Sequence, residues 1–284
     1  MATELAPVTS QFRLFAAEVV RTCRLGPTMT RITFGGEQLK DFASGGRDQS
    51  FSLFLPRPGQ REPVVPARFG ESWYADWRAI HPERRAVMRS YTIRAQRPEL
   101  AELDVDFALH GAEGPAAGAA AGPAARWAAR ASAGDRVCLL GPAMADNRSV
   151  GFRPPAGTDW VLLAADETGL PAVGGILDWL PAGTRARVWI EVPSPEDIQD
   201  LPSSGEVEIT WLIRNGRSTL PDAIRAAELP DGSPYAWIAG ESGLVKAVRR
   251  YLVGELGIDR RLVNFSGYWR KGVSEEDLRV EARA

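Results

Sequence analysis

At 284 residues, 44% apolar and 25% charged, the chain has the composition of an ordinary soluble globular protein and the length for two domains. Its net charge of -2 excludes a duplex-binding role, which needs a strongly positive face to displace counterions. Only two cysteines, Cys23 and Cys138, and two histidines, His81 and His110, are scattered along it. That is too few for an iron–sulfur cluster or a structural zinc site, so no metal ligand is assigned.

The first residues, 1–7, show no basic region followed by an apolar run. The longest apolar stretches, such as residues 160–165, fall far short of a membrane span, and a cytoplasmic protein is expected. Residues 12–20 read as a first strand. Residues 28–34 alternate in character and end in Gly35-Gly36; residues 50–55 stop at Pro56; residues 88–94 follow. Leu103, Val105, Phe107 and Leu109 then alternate with Asp104, Asp106, Ala108 and His110, the pattern of a half-buried strand. Residues 111–133 are rich in Ala and Gly: a loop, then a helix over 123–130, with Pro at a first helical position and Ala as the best helix former. After the turn Ala133-Gly134-Asp135 comes a short strand at 137–140, where Cys138 is expected to be a buried small hydrophobe. About six strands separated by turn signals predict a small antiparallel barrel.

The rhythm then changes. A continuous apolar strand, 160–165, leads through Asp166-Glu167-Thr168-Gly169 into a helical stretch ending at Leu180. Strands are predicted at 187–192, 207–213, 235–239 and 262–265, with helices at 220–227 and 245–256. This alternation predicts a five-stranded parallel sheet covered on both faces. The boundary falls in residues 147–158, which contain Gly151, Pro154, Pro155 and Gly157. The fold class is therefore a six-stranded antiparallel barrel, residues 1–150, followed by an α/β domain, residues 151–284.

Several segments carry chemistry. In Arg89-Ser90-Tyr91-Thr92-Ile93-Arg94 a strand projects Arg89 and Tyr91 to one side and Ser90 and Thr92 to the other. Arg-x-Tyr supplies an aromatic surface and a cation on one face, which suits a flavin; an ordinary strand with an exposed Arg is the alternative. Asp106 and His110 share the polar face of their strand, and His110 ends it beside the Gly-rich loop. The helix start Gly122-Pro123-Ala124-Ala125 offers backbone N–H groups and a dipole to a pyrophosphate, or is a close-packed Ala helix. Asp166-Glu167-Thr168-Gly169 lies where an open α/β sheet binds ligands, although no G-x-G-x-x-G occurs. The second such turn is Ala239-Gly240-Glu241-Ser242-Gly243, with Ser242 as a plausible N-cap. Gly267-Tyr268-Trp269-Arg270-Lys271-Gly272 follows the last predicted strand, either as part of a site or as a plug over the sheet. Arg214 and Arg217, after the third α/β strand, are suited to the 2′-phosphate of NADPH.

In order and spacing these segments, with Asp106-Phe107-Ala108-Leu109-His110-Gly111 and Arg126-Trp127-Ala128, resemble the siderophore-interacting proteins. These are FAD-dependent ferric-siderophore reductases of the ferredoxin–NADP reductase superfamily. The resemblance implies that Arg89, Ser90, Tyr91 and Thr92 contact FAD, that Asp106 and His110 line the same site, and that Ala124, Ala125 and Trp127 receive its phosphates. It implies that Asp166, Glu167, Thr168, Gly240 and Glu241 border NADH or NADPH, and that Tyr268, Trp269 and Arg270 close over the meeting point. The flavin and nicotinamide carry the redox chemistry, so no catalytic side chain is nominated. Arg126, Lys246, Arg249 and Arg250 are the cations expected to attract a ferric siderophore, the alternative being a solvated helix face. Two departures stand out. Ser52 occupies a place where the family often has Lys, and Gly169 one where it usually has Ala. Three functions are compatible: a ferric-siderophore reductase, a flavin reductase with another acceptor such as a quinone or protein, and a passive siderophore- or flavin-binding protein. A ferredoxin is an alternative electron donor.

Overall fold

The computed structural model describes residues 11–67, 70, 72–110, 121–216 and 218–273. The first half forms strands β1 (Phe12–Arg24), β2 (Met29–Gly35), β3 (Ser50–Leu55), β4 (Val87–Thr92), β5 (Ala95–Arg97), β6 (Glu102–Ala108) and β7 (Arg136–Pro142), with helices α1 (Trp73–Ala79) and α2 (Pro123–Ala128). They make one antiparallel sheet in the order β4-β3-β7-β1-β2-β6-β5. The strands at its two margins, β4 and β5, are neighbours in the chain, joined by Ile93 and Arg94. The sheet therefore curls on itself. The Ile93 N–H donates to the Gln49 carbonyl and the Arg94 N–H to the Asp104 carbonyl, both at 2.9 Å, so consecutive amides hold opposite margins.

This corrects the expected six-stranded barrel to a curled half-barrel sheet of seven strands, called the barrel below. The single strand anticipated over 88–94 breaks where the chain leaves β3 and joins β6. The first strand also runs four residues past its predicted end, through a register shift between Val19 and Arg21. Helix α1 was not anticipated. Its Trp73 and Trp77, four apart and so on one face, pack edge-on to Phe54 at centroid distances of 6.3 and 6.5 Å. Phe15, Ile32, Phe34, Leu53, Leu103, Val105, Phe107 and Leu139 are fully buried inside the curled sheet. Each such side chain contributes about 1.5–3 kcal/mol relative to exposure. Cys138 is buried on the other face, beneath α1, and burial pushes its thiol up to about 11.

The second half forms β8 (Trp160–Asp166), α3 (Leu170–Trp179), β9 (Arg185–Val192), β10 (Glu206–Ile213), α4 (Leu220–Ala226), β11 (Pro234–Glu241), α5 (Ser242–Arg250) and β12 (Val263–Trp269). The five strands are parallel, in the order β10-β9-β8-β11-β12, as the alternation of elements predicts. Every residue of β8 is buried because helices cover both faces: α3 on one, α4 and α5 on the other. Helix α5 starts earlier than predicted and passes into a π turn, Tyr251–Glu255. Strand β12 runs to Trp269, so Tyr268 and Trp269 lie on the last strand rather than after it.

Polar contacts join the halves. Asp48 accepts the N–H groups of Gly151 and Phe152 at 2.9–3.1 Å and the indole N–H of Trp237 at 2.9 Å. Asp197, fully buried after β9, accepts the Thr28 N–H at 2.9 Å and its hydroxyl at 2.8 Å. Arg94 pairs with Asp178 of α3 at 2.6 Å. Helix α3 can lie this close because of Gly174-Gly175: a Cβ on Gly175 would sit 2.2 Å from the Arg47 carbonyl, and one on Gly174 2.7 Å from the Arg94 guanidinium.

Candidate functional site at the domain junction

The strand order reverses direction between β8 and β11, and the crevice outside their carboxyl ends is where open α/β sheets bind ligands. Asp166, the last residue of β8, organises that crevice. Its Oδ1 accepts the Thr168 N–H at 2.9 Å and the Thr168 hydroxyl at 2.5 Å. Its Oδ2 accepts the Glu241 N–H at 2.7 Å and the Trp269 indole N–H at 2.8 Å. One buried carboxylate thus ties together the ends of β8, β11 and β12. Gly240 is obligatory beside it. Its φ of +139° lies where L side chains are rare, and a Cβ there would be 2.6 Å from the Asp166 carboxyl carbon. Gly169 is tight too, a Cβ falling 2.8 Å from that of Ala165.

Glu241, not Ser242, caps α5: its Oε2 accepts the N–H groups of Gly243 at 2.5 Å and Leu244 at 3.1 Å. Ser242 instead donates to the Trp269 carbonyl at 2.9 Å. Glu167 is fully buried and held by Arg214, while His110 Nδ1 approaches it at 3.2 Å. Burial pushes the Glu167 carboxyl above its ordinary range, against the pull of Arg214. Arg214 is thus engaged by carboxylates rather than open to a phosphate; Arg217 lies outside the described residues, as does the Gly-rich stretch 111–120.

The barrel meets this crevice directly. Thr92, buried at the end of β4, hydrogen-bonds the enclosed hydroxyl of Tyr268, whose titration burial pushes upward. The rings of His110 and Trp269 lie 5.1 Å apart. Tyr91 packs on Phe107 at 4.3 Å, and Ser90 is exposed on β4 opposite Ser52 of β3. Arg89 shares the Tyr91 face, its Nη1 donating to the Met88 carbonyl at 2.8 Å. Beside β4 and β6, Gly122-Pro123 opens α2, whose first amides have no intrahelical acceptor.

The junction therefore brings together Thr92, His110, Asp166, Glu167, Thr168, Gly240, Glu241, Tyr268 and Trp269. Other expected site residues sit apart. Asp106 is bidentate with Arg31 at 2.6 and 2.8 Å, on the side of β6 opposite its core-facing Phe107. Trp127, Ala124 and Ala125 are buried, Trp127 stacking on Phe34 at 6.2 Å. Arg270 closes a turn with Val273. Arg126 is exposed and folds back on the Ala121 carbonyl. Lys246 and Arg250 are exposed on α5, and Arg249 stacks on Phe265 at 4.5 Å, four residues before Trp269 on the same strand. Sequence reasoning missed Glu191, which binds Arg214 at 3.2 Å; its signal was an acid at the carboxyl end of the second parallel strand.

Fold and junction together define a two-part chain, a curled antiparallel sheet followed by a doubly wound parallel one, with the candidate site where they touch. The sequence profile of the siderophore-interacting FAD-binding domain matches residues 18–146, and that of the siderophore-interacting protein matches residues 158–272. The chain belongs to the siderophore-interacting protein family. It is 31% identical to the ferric vibriobactin reductase ViuB of Vibrio cholerae over 269 residues, 93% of this chain and 92% of that one. A siderophore utilization protein from T. fusca superposes with a TM-score of 0.75 at 31% identity, covering 93% of this chain and 95% of that chain. The ferredoxin reductase of carbazole 1,9a-dioxygenase shares the fold, with a TM-score of 0.59 at 16% identity over 93% of this chain and 71% of that one.

Proposed function

We propose that the chain is a flavoprotein oxidoreductase that takes reducing equivalents from NADH or NADPH and passes them to a ferric siderophore. The observation that carries this reading is the direct contact of the barrel motif with the switch-point crevice, through Thr92 with Tyr268 and His110 with Trp269. FAD is the cofactor that fits. His110 Nε2 is buried without a hydrogen-bond partner among the described residues, as in a site completed by a bound group, and Tyr91, packed on Phe107, offers a half-buried ring. Arg89, Ser90, Tyr91, Thr92 and His110, with the Ala124 and Ala125 amides, would hold FAD; Asp106 and Trp127 support them through Arg31 and the barrel core. The turn Asp166-Glu167-Thr168, with Gly240 and Glu241, borders the nicotinamide; Tyr268, Trp269 and Arg270 close the junction.

When bound, FAD accepts a hydride and gives up electrons singly, the conversion that iron(III) requires. The chain supplies position. Asp166 fixes the Trp269 indole and the Glu241 amide, which orders the crevice wall. Exposed Arg126, Lys246 and Arg250 attract an anionic chelate. Among the described residues no helix is long and apolar enough to cross a membrane; the proposed site of action is the cytoplasm. A second acceptor class, a quinone or a protein, is favoured by Ser52, which faces Ser90 across the β3–β4 ladder and brings no cation there.

Purified protein should carry FAD, and Arg89→Ala combined with Tyr91→Ala should lose most of it. Anaerobic NADH or NADPH should bleach the flavin, and ferric chelates should then restore its colour while an iron(II) indicator develops. Colourless protein that takes up no FAD would refute the proposal, and rapid quinone reduction without any chelate reduction would move it to the second acceptor.

A further inference from the structure

The carboxyl ends of three adjacent strands carry one charge cluster. Glu167 follows β8, Glu191 is the penultimate residue of β9 and Arg214 follows β10. The Arg214 guanidinium lies bidentate on Glu167, with Nη1 to Oε1 at 2.8 Å and Nη2 on Oε2, and its Nε donates to Glu191 Oε1 at 3.2 Å. Two carboxylates and one guanidinium leave a formal charge of -1, counting histidine as neutral. The Glu167 side chain is fully buried, whereas those of Glu191 and Arg214 are 15% and 28% exposed. The accessible rim of the cluster is therefore Glu191 and the outer part of an already satisfied Arg214.

This cluster lies at the carboxyl ends of the strands, the side on which an open α/β sheet takes its ligand. A dinucleotide in such a crevice runs from the turn after the first strand, and an acid about 20 residues further on accepts from the ribose 2′-hydroxyl. Glu191 stands at the carboxyl end of the second strand, 22 residues after Gly169. We infer that Glu191, by locking Arg214 and presenting its own carboxylate, makes the chain select NADH over NADPH. This rests on the nicotinamide reading above. A 2′-hydroxyl can donate to Glu191. A 2′-phosphate brings two further negative charges against a net negative cluster. Arg214 is held on both edges, and turning it outward would strip the buried Glu167 of its guanidinium, a costly arrangement.

The test titrates 5′-AMP and adenosine 2′,5′-bisphosphate into the flavin-loaded protein by calorimetry. In parallel it measures the saturation of flavin bleaching by NADH and by NADPH, in the parent and in Glu191→Gln. The parent should favour 5′-AMP and NADH by about tenfold or more, and Glu191→Gln should shift both ratios toward the phosphorylated partner by about tenfold, the effect of removing one nearby charge in a partly solvated site. Melting temperature and flavin content establish that the variant is folded. A parent that favours the phosphorylated partner, or a folded variant whose ratios do not move, overturns the inference. Bleaching by neither nicotinamide overturns the reading beneath it and the inference with it, and is distinguished because the bleaching ratio then has no signal, whatever the calorimetric ratio gives.

Discussion

At the residue scale, the junction depends on groups whose partners are distant in sequence. Gly240 combines a φ of +139° with the Asp166 carboxylate 2.6 Å from where a Cβ would be. Gly240→Ala should lose about 2 kcal/mol or more by urea denaturation, from backbone strain and displacement of a saturated carboxylate. Gly272 also has a positive φ, +77°, but open space around it, so Gly272→Ala should lose only about 1 kcal/mol. Equal losses would show that φ alone, not Asp166, makes Gly240 necessary. Local signals identified Asp166, Glu167, Glu241 and Trp269 as residues of interest because they sit in recognisable short segments. They did not reveal that Asp166 ties the ends of β8, β11 and β12 together, or that Arg214 is paired with two carboxylates, because those facts depend on strands meeting. The same limit explains the cap of α5: Ser242 is a standard capping residue, but the Trp269 carbonyl claims its hydroxyl and leaves the role to Glu241.

At the element scale, glycines and ion pairs set how pieces approach. In the interior of α3, Gly174 and Gly175 each forgo about 1 kcal/mol of helix propensity relative to alanine. The structure gives the compensation, which is close approach of the barrel backbone. Gly175→Ala should nonetheless destabilise, by about 1–3 kcal/mol, because its Cβ would meet the Arg47 carbonyl; a gain in melting temperature would contradict the packing. On β6, Asp104 is bidentate with Arg97 at 2.6 and 2.7 Å and accepts the Thr33 hydroxyl at 2.6 Å. Burial alone would raise its carboxyl, but these bonds outweigh it and hold it below the ordinary 3.8. A depressed carboxylate stabilises the fold above its unfolded value and loses that contribution as pH falls through the folded one. The stability gap between parent and Asp104→Asn should therefore be constant near neutrality and narrow below about pH 4. A gap independent of pH would show that the bonds are replaced in the acid form. The alternation of β6 made its buried face legible, whereas the break between β4 and β5 was not, since hydrophobic period carries no information about which neighbour a strand pairs with.

At the scale of the whole molecule, the two halves were legible separately and their union was not. Composition and rhythm separate an antiparallel from a parallel half, because strand alternation and helix interleaving are local properties. The ties between them, Asp48 to Trp237, Asp197 to Thr28 and Arg94 to Asp178, span 189, 169 and 84 residues. With buried polar groups satisfied only across the interface, neither half is complete alone. Calorimetric unfolding should show one transition for the parent. Asp48→Ala leaves the Trp237 indole and two backbone amides without an acceptor, and should lower stability by about 3 kcal/mol and separate the transitions. Two transitions in the parent would show that the halves unfold independently.

The seam of the curled sheet has a further consequence in time rather than energy. The amides of Ile93 and Arg94 are bonded to opposite margins, so neither can be wetted by local fraying of a free strand end. Both should exchange their hydrogen for deuterium only when the barrel itself opens, at the slowest rates in the domain. They lie immediately after Thr92, so a molecule seated against that motif should slow their exchange still further. The seam is thus a clock, built into the backbone, that reports occupancy of the neighbouring site without a label.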